Sequence, residues 1–253
     1  YLIARRQGDE ARFLAGAAGL TDTSQIDFAL RDYKKLAAST TSGWRIPAKV
    51  VLDEPVPEAE LAQYQPLERA VYEIARALER SDQQAARAIT ERVWADHVTG
   101  KFMTSPDFYV LEYFGEVLVA GGMKDEARRL VKLLADHSKR RQKRGYHRLS
   151  NLTAALTKDA SLVVRGGTVR NARLADAAEA EIAGDHAKAA ALLLELVANP
   201  SPTWDYPERA MLIRNLRAIP KRDDEVAKIC NDTLEPAMYR HAFPVVRATC
   251  RKR

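Results

Sequence analysis

The chain has 253 residues, of which 46% are hydrophobic, 29% charged and 7% aromatic. Those proportions exclude long disorder, a collagen-like fibre and a disulfide-dense miniprotein, and the absence of any run of about 18 apolar residues predicts no membrane-spanning helix. Lys and Arg number 40 against 34 Asp and Glu, a net charge of +6, a basic excess that only modestly favours acidic partners.

In chain order, residues 1–38 read as an N-terminal helical hairpin. The chain begins at Tyr1 with no charged or apolar leader pattern, as expected of a processed protein or a piece of a longer one. From 39 to 57 the sequence reads as an extended connector. Pro47, Pro55 and Pro57 stand against a continuous helix there, and Lys49-Val50-Val51-Leu52 is its short β-like run. From 58 to 253 helix formers dominate and apolar residues recur at helical spacing, as in Val71, Ile74, Ala75 and Leu78. The same spacing returns in Leu111, Phe114 and Leu118, and then in Leu130, Val131 and Leu134. Short breaks punctuate this body at Ser81-Asp82, Gly121-Gly122, Gly166-Gly167 and Gly184-Asp185, and Asn199-Pro200 ends a helix. The fold class predicted is all-α.

Two segments share a grammar. Gly115, Gly122 and Ala127 fall at intervals of seven and five residues, and Ala177, Gly184 and Ala189 repeat them. Ser81-Asp82 with Ala86 is a weaker copy. This pattern resembles the tetratricopeptide repeat, a helix-turn-helix unit with small residues at its eighth and twentieth positions and a tight turn between its helices. Leu134 and Leu196 stand where that family has a third small residue. The turns at 81, 122 and 184 are spaced by 41 and 62 residues rather than about 34. The resemblance implies a right-handed α-solenoid of stacked antiparallel hairpins, acting as a protein- or peptide-binding scaffold or sensor. It also implies a ligand groove lined by Tyr109, Glu112 and Glu116, with Asn171 from the next unit.

Chemistry-bearing motifs are scarce. The five histidines show no metal-ligand spacing, and neither a phosphate-binding glycine loop nor a nucleophile elbow occurs. The sequence therefore predicts no catalytic constellation, no metal and no cofactor, and a helical enzyme domain is the third reading. The second is a nucleic-acid adaptor. Its basic stretch, 139–148, holds Lys139, Arg140, Arg141, Lys143, Arg144 and Arg148 around Tyr146, side chains suited to phosphates and an unstacked base. Cys230 and Cys250 are too few for a zinc site and would pair if the chain is exported, leaving the compartment open between cytoplasm and periplasm.

Overall fold

The computed structural model describes residues 27, 32–39, 44–95, 105–138, 144–198, 205–234 and 241–251. Among them are thirteen α-helices, one 3-10 turn and no strand. The chain divides after Tyr64 into a small N-terminal unit and a larger one holding the described residues from Gln65 to Arg251. The N-terminal hairpin expected over 1–38 lies outside the described residues except for position 27 and the stretch from 32.

The small unit contains α1 (Tyr33–Ala38), α2 (Arg45–Val51) and α3 (Glu58–Leu61). Helix α2 corrects the reading of 39–57 as extended: its β-like run is helical. Pro47 is the third residue of α2, inside the first turn, where a backbone N–H has no intrahelical partner to lose. Ile46, Val50 and Ala48 are buried. On the other side, Glu60 receives Lys49 at 2.7 Å and Arg45 at 2.9 Å, cations one turn apart on α2.

The larger unit begins with two hairpins, α4 (Pro66–Glu79) with α5 (Gln83–Val93) and α6 (Ser105–Ala120) with α7 (Lys124–Ser138). After α8 (Arg144–Thr157) come the hairpins α9 (Val169–Ile182) with α10 (His186–Ala198) and α11 (Tyr206–Arg217) with α12 (Asp223–Leu234), and then α13 (Phe243–Arg251). The three turns singled out in the sequence close in one way. The N–H of Asp82 donates to the carbonyl of Ala77 at 2.9 Å, that of Met123 to Leu118 at 3.0 Å and that of Asp185 to Ala180 at 2.9 Å. Each bond spans the residue that ends the helix in the left-handed region, Ser81, Gly122 or Gly184. At Gly122 and Gly184 the space beside Cα is open, so glycine serves the backbone angle there rather than a close approach. Gly115 differs. A Cβ there would stand 2.7 Å from Leu149 and 3.0 Å from Leu130, so its missing side chain lets α6, α7 and α8 meet.

Contacts fix the helix directions. Leu78 at the end of α4 reaches Gly121 at the end of α6. His241, just before α13, lies against Tyr72 of α4 and Tyr113 of α6, while Arg247 farther along α13 pairs with Glu79 farther along α4. Tyr206 of α11 meets Phe243, and Arg217 reaches the Thr249 carbonyl. Arg128, early in α7, faces Asp159, just past α8, so α7 runs against both α6 and α8. Helices α4, α6, α8, α11 and α13 therefore run parallel. Helix α6 is the hub: α4, α7, α8, α11 and α13 all contact it. Its sequence is largely apolar from Val110 to Ala120, as suits a helix with five packed neighbours. Helix α13 packs back on α4, so the row of hairpins closes on itself, and the Cys230–Cys250 disulfide ties α13 to α12.

Candidate functional site

Because the five inner helices are parallel, the first turns of α4, α8 and α11 and the approach to α13 gather beside the middle of α6. There α8 brings Arg148, which is 8% exposed, between α6 and α11. Its Nε and Nη2 donate to the two carboxylate oxygens of Glu208 at 2.6 and 2.7 Å, a bidentate grip. Its Nη1 donates to Glu116 and lies 3.9 Å from Glu112. Glu208 sits in the first turn of α11, beside Pro207, where an acidic side chain faces the positive end of the helix. Asp205 stands at the N-cap position of the same helix, its side chain turned from the free backbone N–H groups to pair with Arg209 at 3.2 Å. One residue along from Glu112, Tyr113 stacks on His241 at 4.9 Å between ring centres, Tyr72 meets that imidazole edge-on, and Glu68 stands 3.8 Å from its Nε2.

Burial dominates the electrostatics. It pushes the Glu116 carboxyl up to about 7, with Glu112 and Glu208 adding to the rise and Arg148 opposing it. Burial alone would lower Arg148, but Glu208 and Glu116 outweigh it and hold the guanidinium well above its ordinary range. Asp205 and Glu68 are raised as well, both chiefly by burial. Three carboxyl groups thus share one guanidinium in a dry setting, with a pair of aromatic rings and further carboxyls alongside.

The structure divides the residues singled out in the sequence. Glu112 and Glu116 come together, and Arg148, grouped in the sequence with the basic stretch, is instead their buried partner. The physical reason is register: Arg148 lies on the face of α8 that carries Leu149 and Leu152 inward, four residues past the helix start. Glu116, expected in an open groove, is 1% exposed because α8 and α11 cover that face of α6. Asn171 belongs elsewhere. It is buried at the start of α9, where its N–H is capped by Thr168 and its carbonyl accepts from Asn151 at 3.4 Å. The side chains of Tyr109 and Arg144, and the whole of Lys139, Arg140, Arg141 and Lys143, lie outside what the structure describes.

Four participants were not legible. Glu68, Asp205, Glu208 and His241 reach the cluster from elements far along the chain. A local signal existed only for Asp205-Tyr206-Pro207-Glu208, whose proline and acidic first turn mark a helix start. A separate concavity of about 360 Å3 lies between α10, α11 and α12, walled by Leu194, Val197 and Ile229. Among the described residues no cluster of His, Cys, Asp and Glu could hold a metal ion, and no helix is long and apolar enough to cross a membrane. The chain matches no protein-family model, no curated protein and no solved structure.

Proposed function

We propose that this chain is a helical-repeat binding module of tetratricopeptide type, stacked in a right-handed sense, whose protein or peptide partner docks where the first turns of α4, α8 and α11 meet the middle of α6. One observation carries the reading. There Arg148 holds Glu116 and Glu208 in the interior, while the Glu68 and Glu112 side chains keep 30% and 15% of their surface in solvent, Glu68 beside the imidazole that stacks on Tyr113 and Glu112 next to Tyr113 in the chain. Carboxylates and a tyrosine together suit a Lys or Arg side chain, through charge complementarity and ring–cation contact. Arg148 is committed to Glu208 and Glu116, which takes one guanidinium away from the competing nucleic-acid reading. The Cys230–Cys250 disulfide supports a setting oxidising enough to keep it formed.

Fluorescence anisotropy tests the proposal with three labelled probes: a decapeptide alternating Lys and Ala, one alternating Glu and Ala, and single-stranded oligouridine. The Lys peptide is expected to bind and the Glu peptide not. The double variant Glu68→Lys/Glu112→Lys should weaken the Lys peptide at least tenfold. Tight oligouridine binding with a steep salt dependence, and none to the Lys peptide, overturns this reading in favour of nucleic acid.

A further inference from the structure

We propose that the cleft between α10, α11 and α12 is a small-molecule site for a free α-amino acid with an aliphatic side chain. It is independent of the docking surface around Tyr113. Helix directions build the cleft. His186 at the start of α10 meets Asn215 late in α11, and Arg209 early in α11 donates to Thr233 late in α12 at 3.2 Å. Helices α10 and α12 therefore both run against α11, and their C-terminal halves flank its first turns. Helix α10 is apolar on two faces. Leu193 and Leu196 are buried, while Leu194, with Val197 and Ala198 one turn on, walls the cleft along with Ile229 of α12. The volume of about 360 Å3 is at the lower end of the range for ligand pockets, which suits a small molecule.

The charges lining the cleft select the molecule. Four of its residues are ionisable: Arg209, Glu225, Lys228 and Asp232. Glu225 is taken by Arg222. Arg209 faces Asp205 with Nε and Thr233 with Nη1, which leaves Nη2 uncommitted among the described residues. Lys228 and Asp232 have no side-chain partner among the described residues, although one helical turn separates them. A lysine ahead of an acid is the weaker order for such a pair, so both charges stay available. A cation and an anion one turn apart, beside an apolar wall, complement a zwitterionic head on an aliphatic tail. The carboxylate of the amino acid goes to Lys228 and the Nη2 of Arg209, its ammonium to Asp232, and its side chain between Leu194, Val197 and Ile229. The carbonyl ends of α10 and α12 lie at this end of the cleft and favour the ammonium as well. A plain fatty carboxylate leaves Asp232 unanswered, and a plain alkylamine leaves Lys228 so.

The test follows the isotope-labelled δ-methyl NMR signal of Ile229, assigned with Ile229→Val, as L-leucine, isocaproate, isopentylamine and glycine are titrated in turn into the full chain. Leucine should shift that signal with a dissociation constant of about 1 mM or tighter, as a ligand of its size allows. The other three each lack the ammonium, the carboxylate or the aliphatic tail, and should bind about tenfold more weakly or worse. Lys228→Met and Asp232→Asn, both at exposed positions, should each weaken leucine by about tenfold. No shift with leucine overturns the site. Isocaproate or isopentylamine binding as tightly as leucine, or leucine binding unchanged in both variants, overturns the amino-acid assignment. None of these results bears on the docking of a basic peptide, which is read with the labelled decapeptides.

Discussion

Replacing Arg148 by Met keeps most of the side-chain volume but removes the cation between α6, α8 and α11. The change leaves Glu116 and Glu208 buried without the guanidinium that grips them. Breaking a buried pair from one side costs about 3–5 kcal/mol, because the orphaned charge keeps its desolvation penalty. That cost must depend on pH. Without the guanidinium that opposes its rise, the Glu116 carboxyl is pushed further up, so the full loss is expected near pH 8, where the parent keeps that carboxyl ionised beside Arg148. Near pH 5 Glu116 is protonated with or without Arg148, and the loss should fall to about 1–2 kcal/mol, the penalty of imperfectly satisfied buried groups. Urea unfolding at both pH values, followed by far-UV circular dichroism, measures the difference. The triple variant Arg148→Met/Glu116→Gln/Glu208→Gln should recover much of the stability lost at pH 8, since removing a whole buried network is far milder than halving it. A loss under about 1 kcal/mol at pH 8, or an equal loss at both values, would refute a buried role for Arg148.

The parent chain carries its own pH signature. Glu116 titrates near 7 in the fold against an ordinary 4.5, so its contribution is fully present below about 4.5 and declines by roughly 3 kcal/mol as the pH rises through 7, a fall that urea midpoints of Glu116→Gln should lack. Gly115→Leu should cost about 1–3 kcal/mol by driving a side chain into Leu149 and Leu130, and an unchanged melting temperature would remove the three-helix contact from the argument. Reducing the Cys230–Cys250 disulfide, whose partners are 20 residues apart, should lower stability by about 3 kcal/mol. Comparing urea midpoints with and without reductant checks that value, with Cys230→Ser/Cys250→Ser as a control that should not respond to reductant.

What could be read in the sequence was whatever local chemistry decides. The turns at Ser81, Gly122 and Gly184 announced themselves because a helix needs a left-handed residue and a cap to stop, and both are near neighbours in the chain. Gly115 was legible for a related reason: a glycine amid apolar helix residues signals a close approach. The segment around Pro47 misled because Val50 and Val51 suit a strand by propensity, while burial against the first helix decided otherwise. The buried cluster was out of reach in principle. Arg148 and Glu208 are 60 residues apart, and an arginine in a run of basic residues gives no sign that it faces inward. Glu112 and Glu116 were picked out for their shared face, but what covers that face is set by α11, a helix assigned no role there in advance.

The return of α13 to α4 changes what kind of object the larger unit is. In an open array each hairpin depends only on its neighbours, so hairpins can be added or trimmed, and either end can fray alone. Here Arg247 joins Glu79 across 168 residues, and α6 touches partners from both ends of the unit. Deleting α13 would strip cover from the first inner helix and the hub at once, instead of shortening a row by one. Such wiring raises the mean sequence separation of contacts, which slows folding and makes each hairpin's stability depend on distant ones. A chain built of hairpins has thereby given up the freedom to change their number.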